Sequence, residues 1–350
     1  KLEEIKRMVE ADDISTVIVN NRLTPRQNIN LEEILGVKVI DRMQLILDIF
    51  AMRARSHEGK LQVHLAQLKY LLPRLVGQGI MLSRQAGGIG SRGPGESQLE
   101  LNRRSVRNQI YDIERQLKIV EKNRATVREK RLDSSVFKIG LIGYTNAGKS
   151  TIMNALTNKS QYEADELFAT LDATTKSVNL TGRFNVTVTD TVGFIQDLPT
   201  ELVSSFKSTL EESKNVDLLV HVIDASDPNH EEHEKTVLAI MKDLDMLDIP
   251  RLTLYNKADK AENFTPTLTP YVLISAKNEN SRAILQNALL NKMRELFVPF
   301  RIKVSPSKAY KLHELESLAI IDKREYLEES EMISGYIAEK NKWRLEEFYD

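Results

Sequence analysis

One stretch limits what this chain can fold into more than any other. Lys138 to Thr151 reads KIGLIGYTNAGKST. Val136 to Ile142 is an apolar run of the kind a buried strand has. Gly143 to Ser150 fits G-x-x-x-x-G-K-[ST], and Ile152 to Leu156 begins an apolar helix. Glycine lets the backbone fold so that several N–H groups converge on a phosphate. The helix N-terminus adds its dipole. Gly143, Tyr144, Thr145, Asn146, Ala147, Gly148, Lys149, Ser150 and Thr151 are therefore a candidate phosphate cradle. Lys149 would reach the β- and γ-phosphates, and the Ser150 hydroxyl would ligate Mg²⁺. The competing reading is a glycine turn that happens to carry Lys-Ser, and the flanking strand and helix argue against it.

Further motifs follow in order. Phe184 to Thr189 alternates as a strand and ends in Asp190-Thr191-Val192-Gly193, a D-x-x-G. Asp190 would hold Mg²⁺, through water, and the Gly193 N–H would meet the γ-phosphate. Phe194 stands where many GTPases use glutamine to orient the attacking water, and it has no donor or acceptor for that task. Hydrolysis then needs another group, an ion or a partner. Asn146 is a candidate helper, its amide oxygen ligating a monovalent cation such as K⁺. Lys159 to Glu166 reads as a mobile polar loop, closed by Phe168, Ala169, Thr170, Leu171, Asp172, Ala173, Thr174 and Thr175. A threonine here could ligate Mg²⁺ and sense the γ-phosphate. Spacing does not choose among Thr170, Thr174 and Thr175.

Base selection is assigned by two later motifs. The strand Arg251 to Tyr255 ends in Asn256-Lys257-Ala258-Asp259, an N-K-x-D, and the strand Tyr271 to Ile274 ends in Ser275-Ala276-Lys277. The Asp259 carboxylate can accept from guanine N1–H and the 2-amine. Adenine offers no such pair, and a buried unpaired carboxylate is costly. The Ala276 N–H would meet guanine O6. The cofactors expected are GTP or GDP, Mg²⁺ and the K⁺ candidate.

The segment before the cradle reads as a different unit. Ser15 to Asn20 and Val37 to Asp41 are predicted short strands around a helix at Leu31 to Leu35, a small α/β layer. A helical region begins near Arg42, with Leu45, Ile49 and Met52 on one stripe, then Leu61, Leu65, Leu68, Leu72 and Leu75. Pro73 predicts a kink or break. Ala86 to Gly95 holds five glycines and a proline. It is read either as a flexible joint or as a finger inserting into a crowded partner, with Arg84 and Arg92 near phosphates. A second helix, about Glu96 to Leu132, carries a seam of Leu99, Val106, Ile110, Ile113, Leu117, Val120 and Val127. The two helices predict an antiparallel hairpin. From Arg103 to Arg131 there are ten Lys and Arg against four acidic residues. Arg103, Arg104 and Arg107 cluster near the tip with Arg92. That is a nucleic-acid footprint as readily as a solvated face. No aromatic residues alternate with these arginines, so contacts to phosphate and shape are expected rather than base stacking.

Totals narrow the setting. The formal net charge of −1 means a polyanion must be met by a local patch. The absence of cysteine excludes disulfides and thiolate metal sites and fits a reducing compartment. No apolar run approaches a membrane span, and Lys1-Leu2-Glu3-Glu4 does not resemble a signal peptide. A cytoplasmic monomer is expected, with neither membrane nor DNA as partner. His230 and His233 lack convergent carboxylates of metal-site spacing, and serine hydrolase and dehydrogenase patterns are missing. The domain reading is 1–135, 136–298 as a P-loop GTPase of mostly parallel sheet flanked by helices, and 299–350 as a small β-α-β-β appendage. Trp343 is assigned to packing.

The layout resembles the HflX family of translation-associated GTPases over nearly the whole chain. The resemblance rests on GGIGSRGPGESQLELNRR (Gly87 to Arg104), GYTNAGKST, LFATLDATT (Leu167 to Thr175), DTVGFIQDLP (Asp190 to Pro199) and HVIDASDP (His221 to Pro228). It implies that Thr170 is the Mg²⁺-ligating switch threonine and that Phe194 is the hydrophobic substitution of this group. It also implies a large-ribosomal-subunit partner, with the hairpin near ribosomal RNA of the peptidyl-transferase region. The GTP-bound form would split or rescue stalled ribosomes under stress. Ala173 departs from the proline of many relatives. The alternatives are a nucleotide-gated RNA-binding or remodelling module without ribosome preference, or a general NTPase that also uses ATP.

Overall fold

A computed structural model describes residues 1–85, 94–132, 135–157, 173–191, 193–195, 214–262, 264–327 and 330–348. The described residues form two compact units, one within Lys1–Val127 and one from Arg128 onward.

The first unit opens with helix α1 (Leu2–Ala11), which the sequence reading did not anticipate. Strand β1 (Thr16–Val19), helix α2 (Pro25–Leu35) and strand β2 (Lys38–Asp41) follow, and β1 and β2 pair in parallel. Helix α2 starts six residues before the expected Leu31, and the reason is local. Thr24 and Gln27 form a capping box, Pro25 occupies the first turn, and Gly36 closes the far end at φ 70°. Helix α3 (Arg42–Arg53) buries Met43, Ile46, Leu47 and Phe50. The expected Leu45, Ile49 and Met52 stripe is not the buried one, and Met52 is 77% exposed. Both stripes satisfy helical spacing, and the one carrying Phe50 took the core.

Helix α4 (His57–Gln85) runs through Pro73 without a break. The expected interruption does not occur because the apolar seam continues on both sides of the proline. Leu61, Leu65, Leu68, Leu72 and Leu75 pack against Val106, Ile110, Ile113 and Leu117 of α5 (Pro94–Leu132). A Lys69–Glu114 ion pair at 2.8 Å ties the same two helices. That packing offsets the roughly 3 kcal/mol an interior proline costs. The glycine-rich tip at 86–93, with Arg92, lies outside the described residues.

A buried polar hub holds this unit together. Asp41, fully buried, accepts from Leu23 N at 3.1 Å, Gln44 N at 2.9 Å, Tyr70 OH at 2.7 Å and an Arg74 guanidinium nitrogen at 2.7 Å. The Arg74 guanidinium also lies 3.4 Å from the Tyr70 ring centroid. Burial, then the bond to Asp41, raises the Tyr70 phenol above its ordinary range. Asp41→Ala is expected to cost about 3–5 kcal/mol, because it strands a mostly buried cation and three donors. Urea unfolding of the full chain measures this, and a loss below about 1 kcal/mol would contradict the hub.

The second unit is built on a six-stranded sheet. Its strands are β3 (Phe137–Gly143), β4 (Thr174–Thr181), β5 (Phe184–Asp190), β6 (Leu218–Asp224), β7 (Arg251–Asn256) and β8 (Tyr271–Leu273). They lie in the order β4-β5-β3-β6-β7-β8, all parallel except β4, which is antiparallel to β5. Helices α6 (Lys149–Thr157) and α8 (Ser281–Leu296) cover one face, where Ile152, Met153, Leu285 and Leu289 meet Leu141, Val186 and Val220. Helix α7 (His230–Asp243) covers the other, where Val237 and Met241 meet Ile142, Phe194 and Leu219. Parallel strands buried on both faces place their carboxyl ends, and the loops after them, along one edge.

The chain closes with β9 (Val298–Val304), α9 (Leu312–Leu318), β10 (Ala319–Leu327) and β11 (Ser330–Ile337), and the three strands form an antiparallel sheet in the order β10-β11-β9. This segment belongs to the same compact unit as the parallel sheet. Ile320 and Ala338 sit in the same buried cluster as Phe137, Leu156 and Phe297. Trp343 was expected to pack, yet it is 54% exposed with the Arg344 guanidinium 4.6 Å from its ring, while Leu345 and Phe348 fill the core.

Candidate functional site

The cradle is shaped by close backbone approach. Strand β3 pairs with β6 through Gly143↔Val222. A Cβ at Gly143 would collide with the Val222 carbonyl oxygen, and one at Gly148 (φ 94°) with Asn256 Nδ2. Asn146 adopts φ 62°, a left-handed backbone that asparagine tolerates better than most residues. Lys149 is buried, and its ammonium donates to the carbonyls of Gly143 (3.2 Å) and Tyr144 (3.0 Å). Burial lowers its pKa to about 8, and the Asp190 carboxylate opposes that fall. The D-x-x-G segment is sewn onto the cradle. Phe194 N donates to Gly143 O at 3.1 Å, Thr145 N donates to Phe194 O at 2.7 Å, and the Thr191 hydroxyl donates to Leu141 O at 2.7 Å. A Cβ at Gly193 would lie 2.7 Å from Thr145 Cα and 3.0 Å from Lys149 Nζ, so only glycine fits.

The Ser150 hydroxyl donates to Asp190 Oδ2 at 2.7 Å. A hydroxyl and a carboxylate held together beside the lysine form an all-oxygen donor set of the kind Mg²⁺ takes. Phe194 is 3% exposed and packs among Ile142, Leu219, Val237 and Met241, so its ring offers nothing polar.

The expected base-reading residues converge next to the expected cradle. A cavity of about 300 Å³ is lined by Asn146, Gly148, Thr151, Asn256, Asp259 and Ala276, together with Lys257, Lys260, Ser275 and Lys277. A hydrogen bond from Ser275 holds the Asp259 carboxyl below its ordinary range, so it stays an acceptor at neutral pH. Lys257 takes φ 62° and pairs with Asp224 at 2.7 Å. Ala258 N donates to Ile274 O at 3.0 Å, fixing the N-K-x-D turn against the strand that carries Ser275. Sequence reasoning gave Asn256 a share, with Asp259, in selecting guanine. Its Nδ2 donates to Ala147 O at 3.0 Å and its Oδ1 accepts from Ala276 N at 2.9 Å, so one side chain joins the phosphate cradle to both base loops.

Other expected residues fall elsewhere. Phe168, Ala169, Thr170, Leu171, Asp172 and Val192 lie outside the described residues, as does the loop at 159–166. Thr174 and Thr175, the competing switch threonines, belong to β4, and Thr175 Oγ1 lies 2.9 Å from Thr189 Oγ1. The histidines do not gather round a metal. Among the described residues no group of three or more His, Cys, Asp or Glu could hold one.

His221 was missed because a histidine within an apolar strand reads as filler. It is 1% exposed, and burial, then the charges of Arg251 and Lys149, hold its pKa at about 3. Below the ordinary histidine range the unfolded chain takes up a proton that the folded chain refuses. Stability is therefore complete above about pH 6.5 and falls with acid at about 1.4 kcal/mol per pH unit. Between pH 7 and 5, urea unfolding of the unaltered chain should lose about 2 kcal/mol more than His221→Leu. Equal losses would contradict the buried neutral state.

Comparisons with known proteins give the family. Residues 1–51, 53–131 and 138–257 match, in turn, the families described as GTP-binding GTPase N-terminal, GTP-binding GTPase Middle Region and 50S ribosome-binding GTPase. A GTPase HflX from Alkalihalophilus pseudofirmus is 48% identical over 343 residues, covering 97% of this chain and 81% of that protein. The chain belongs to the HflX family of GTPases. A GTPase HflX from Escherichia coli K12 is 42% identical over 341 residues, covering 95% and 80%. A GTP-binding protein from Sulfolobus solfataricus solved with GDP is 26% identical and covers 83% of each chain, with a TM-score of 0.46. As a member of the HflX family, the chain binds guanine nucleotide and hydrolyses GTP. Among the described residues no helix is long and apolar enough to cross a membrane.

Proposed function

We propose that this HflX-family GTPase is a Mg²⁺-dependent switch that engages the large ribosomal subunit in its GTP-bound state, in ribosome splitting, rescue or stress response. The observation that carries this reading is the long helical hairpin, whose second helix presents Arg104 and Arg107 to solvent beside an apolar seam. The family description of residues 138–257 as a 50S ribosome-binding GTPase supports it. Arg103 is only partly exposed and lies 3.5 Å from Glu100, so Arg104 and Arg107 are the better phosphate contacts. The expectation of no aromatic among these arginines overlooked Tyr111, between Arg107 and Arg115 and 68% exposed, so a stacked base joins the expected contacts in addition to phosphates.

At the nucleotide, Ser150, Asp190 and Thr170 would hold Mg²⁺, which supplies charge to the β- and γ-oxygens. Lys149 turns from its two carbonyls to the phosphates. The Gly193 N–H would meet the γ-phosphate, and the Asn146 amide oxygen would ligate a K⁺ ion. With Phe194 buried, no side chain at its place orients water, so intrinsic turnover is slow. Large subunits should raise GTP turnover by on the order of 10³ or more, the range a supplied catalytic group gives. Sedimentation with large subunits and a non-hydrolysable GTP analogue should be lost in Arg104→Glu with Arg107→Glu, while nucleotide affinity stays. Unchanged turnover, or isolated structured RNA binding as tightly as subunits, would favour an RNA module without ribosome preference.

A further inference from the structure

The HVIDASDP segment (221–228) supplies no residue to the cradle or to the base cavity. It runs from the end of β6 to the start of α7. Its two aspartates lead to the base-reading turn by different routes.

The first route is direct. Asp224 closes β6 opposite Asn256 of β7. Its Oδ1 accepts from Ser226 N at 3.0 Å and from the Ser226 hydroxyl at 2.6 Å, which fixes the carboxylate. Its Oδ2 lies 2.7 Å from the Lys257 ammonium. Lys257 needs such an anchor. Its φ of 62° is a backbone that lysine rarely takes, and such strain persists only where the surroundings hold it. Asp259 stands two residues further on.

The second route runs through α7. Asp227 holds the start of that helix. Its Oδ1 accepts from Asn229 N at 2.8 Å, its carbonyl accepts from His230 N at 3.1 Å, and its Oδ2 lies 3.4 Å from His233 Nδ1. The next residue, Glu234, is buried and accepts from the Tyr255 hydroxyl at 2.9 Å and from the Thr267 hydroxyl. The Tyr255 oxygen in turn accepts from Thr267 N (3.2 Å) and Leu268 N (3.1 Å), and its ring packs with Ile223, Ala225 and Phe264. The Tyr255 carbonyl accepts from Ile274 N at 2.8 Å. Tyr255 therefore joins the residue it precedes, Asn256, to the loop after N-K-x-D and to the strand that leads into Ser275.

We infer that Asp224 and Glu234 are positioning residues for guanine selection, acting through Lys257 and Tyr255 to hold Asp259 and Ala276 at the spacing one base requires. The inference rests on Asp259 as the acceptor for guanine N1–H and the 2-amine. Hydrogen bonds weaken steeply off their geometry, so such a contact is only as good as the groups that hold it.

Inosine diphosphate lacks the 2-amine, so the ratio of GDP to inosine diphosphate affinity reads the placing of Asp259. Inorganic pyrophosphate reads the cradle alone. Competition titrations on the full chain give all three affinities. The unaltered chain should prefer GDP over inosine diphosphate by about 10-fold or more. In Asp224→Asn the oxygen stays with Ser226, which sets an N–H₂ against the Lys257 ammonium. Asp224→Asn and Glu234→Ala should each lower the ratio about 5-fold or more, with pyrophosphate affinity changed less than about 2-fold. Glu234→Gln, which can still pair both hydroxyls, should restore most of the preference. Tyr255→Phe strips the acceptor from two N–H groups and reads the second route if Glu234→Ala does not fold. Variants that keep the full preference, or that lose all three affinities in equal proportion, would overturn the inference. No preference in the unaltered chain would remove Asp259 as the base reader, and the inference with it.

Discussion

Gly148→Ala should cut GDP and GTP affinity by on the order of 10²–10³, the equivalent of about 3–4 kcal/mol. Two separate costs produce this. The backbone at φ 94° holds an L side chain at about 1–3 kcal/mol. The new Cβ also occupies the place of Asn256 Nδ2, so the bonds from Asn256 to Ala147 O and from Ala276 N are strained or lost. Each is worth about 0.5–1.5 kcal/mol. Gly182→Ala separates the two costs, since that glycine takes φ 52° with nothing within 4 Å of the new methyl. It should lower stability slightly and leave nucleotide affinity intact. Equilibrium titration with fluorescent GDP measures both variants, and equal affinity in the two would remove the Asn256 clamp from the account.

Asp259→Asn carries the second large effect, on the base and not on the phosphates. The ionised carboxylate is an obligate acceptor, and the bond from Ser275 lowers its pKa further. Asparagine sets an N–H₂ donor against one of the two guanine donors. A hydrogen bond to a charged group is worth about 1.5–3 kcal/mol, so losing one of the pair and opposing two donors should lower GDP affinity by on the order of 10²–10³. Xanthine carries a carbonyl where guanine has the 2-amine, and xanthosine diphosphate should therefore regain much of the loss. Competition among GDP, xanthosine diphosphate and ADP on both chains reads this directly. A GDP loss under 10-fold, or ADP competing as well as GDP on the unaltered chain, would contradict the role of Asp259.

Much of this architecture was readable from local chemistry. Gly143, Gly148 and Lys149 announce a cradle because only a few backbone shapes satisfy G-x-x-x-x-G-K-[ST] between a strand and a helix. The seam from Leu61 to Leu75 announced a hairpin for the same reason: the repeat admits one partner geometry. What escaped was decided by tertiary packing. Pro73 reads as a break until Leu72 and Leu75 are seen held by α5. The stripe ending at Met52 and the one ending at Phe50 are equivalent as patterns, and only the core chose between them. Asn256 looked like one letter of a base-reading motif because its partners, Ala147 and Ala276, are far away in the chain. Helix α2 is a different kind of miss, since Thr24, Pro25 and Gln27 spelled its start plainly.

The shared burial of Ile320 and Ala338 with Phe137, Leu156 and Phe297 has a practical meaning for anyone trimming this protein. Cutting the chain after 298 would take away Ile320 and Ala338, which that core holds as its own. It would peel one wall from beneath the strand that feeds the glycine loop, and leave a greasy scar prone to clumping where the tail had been.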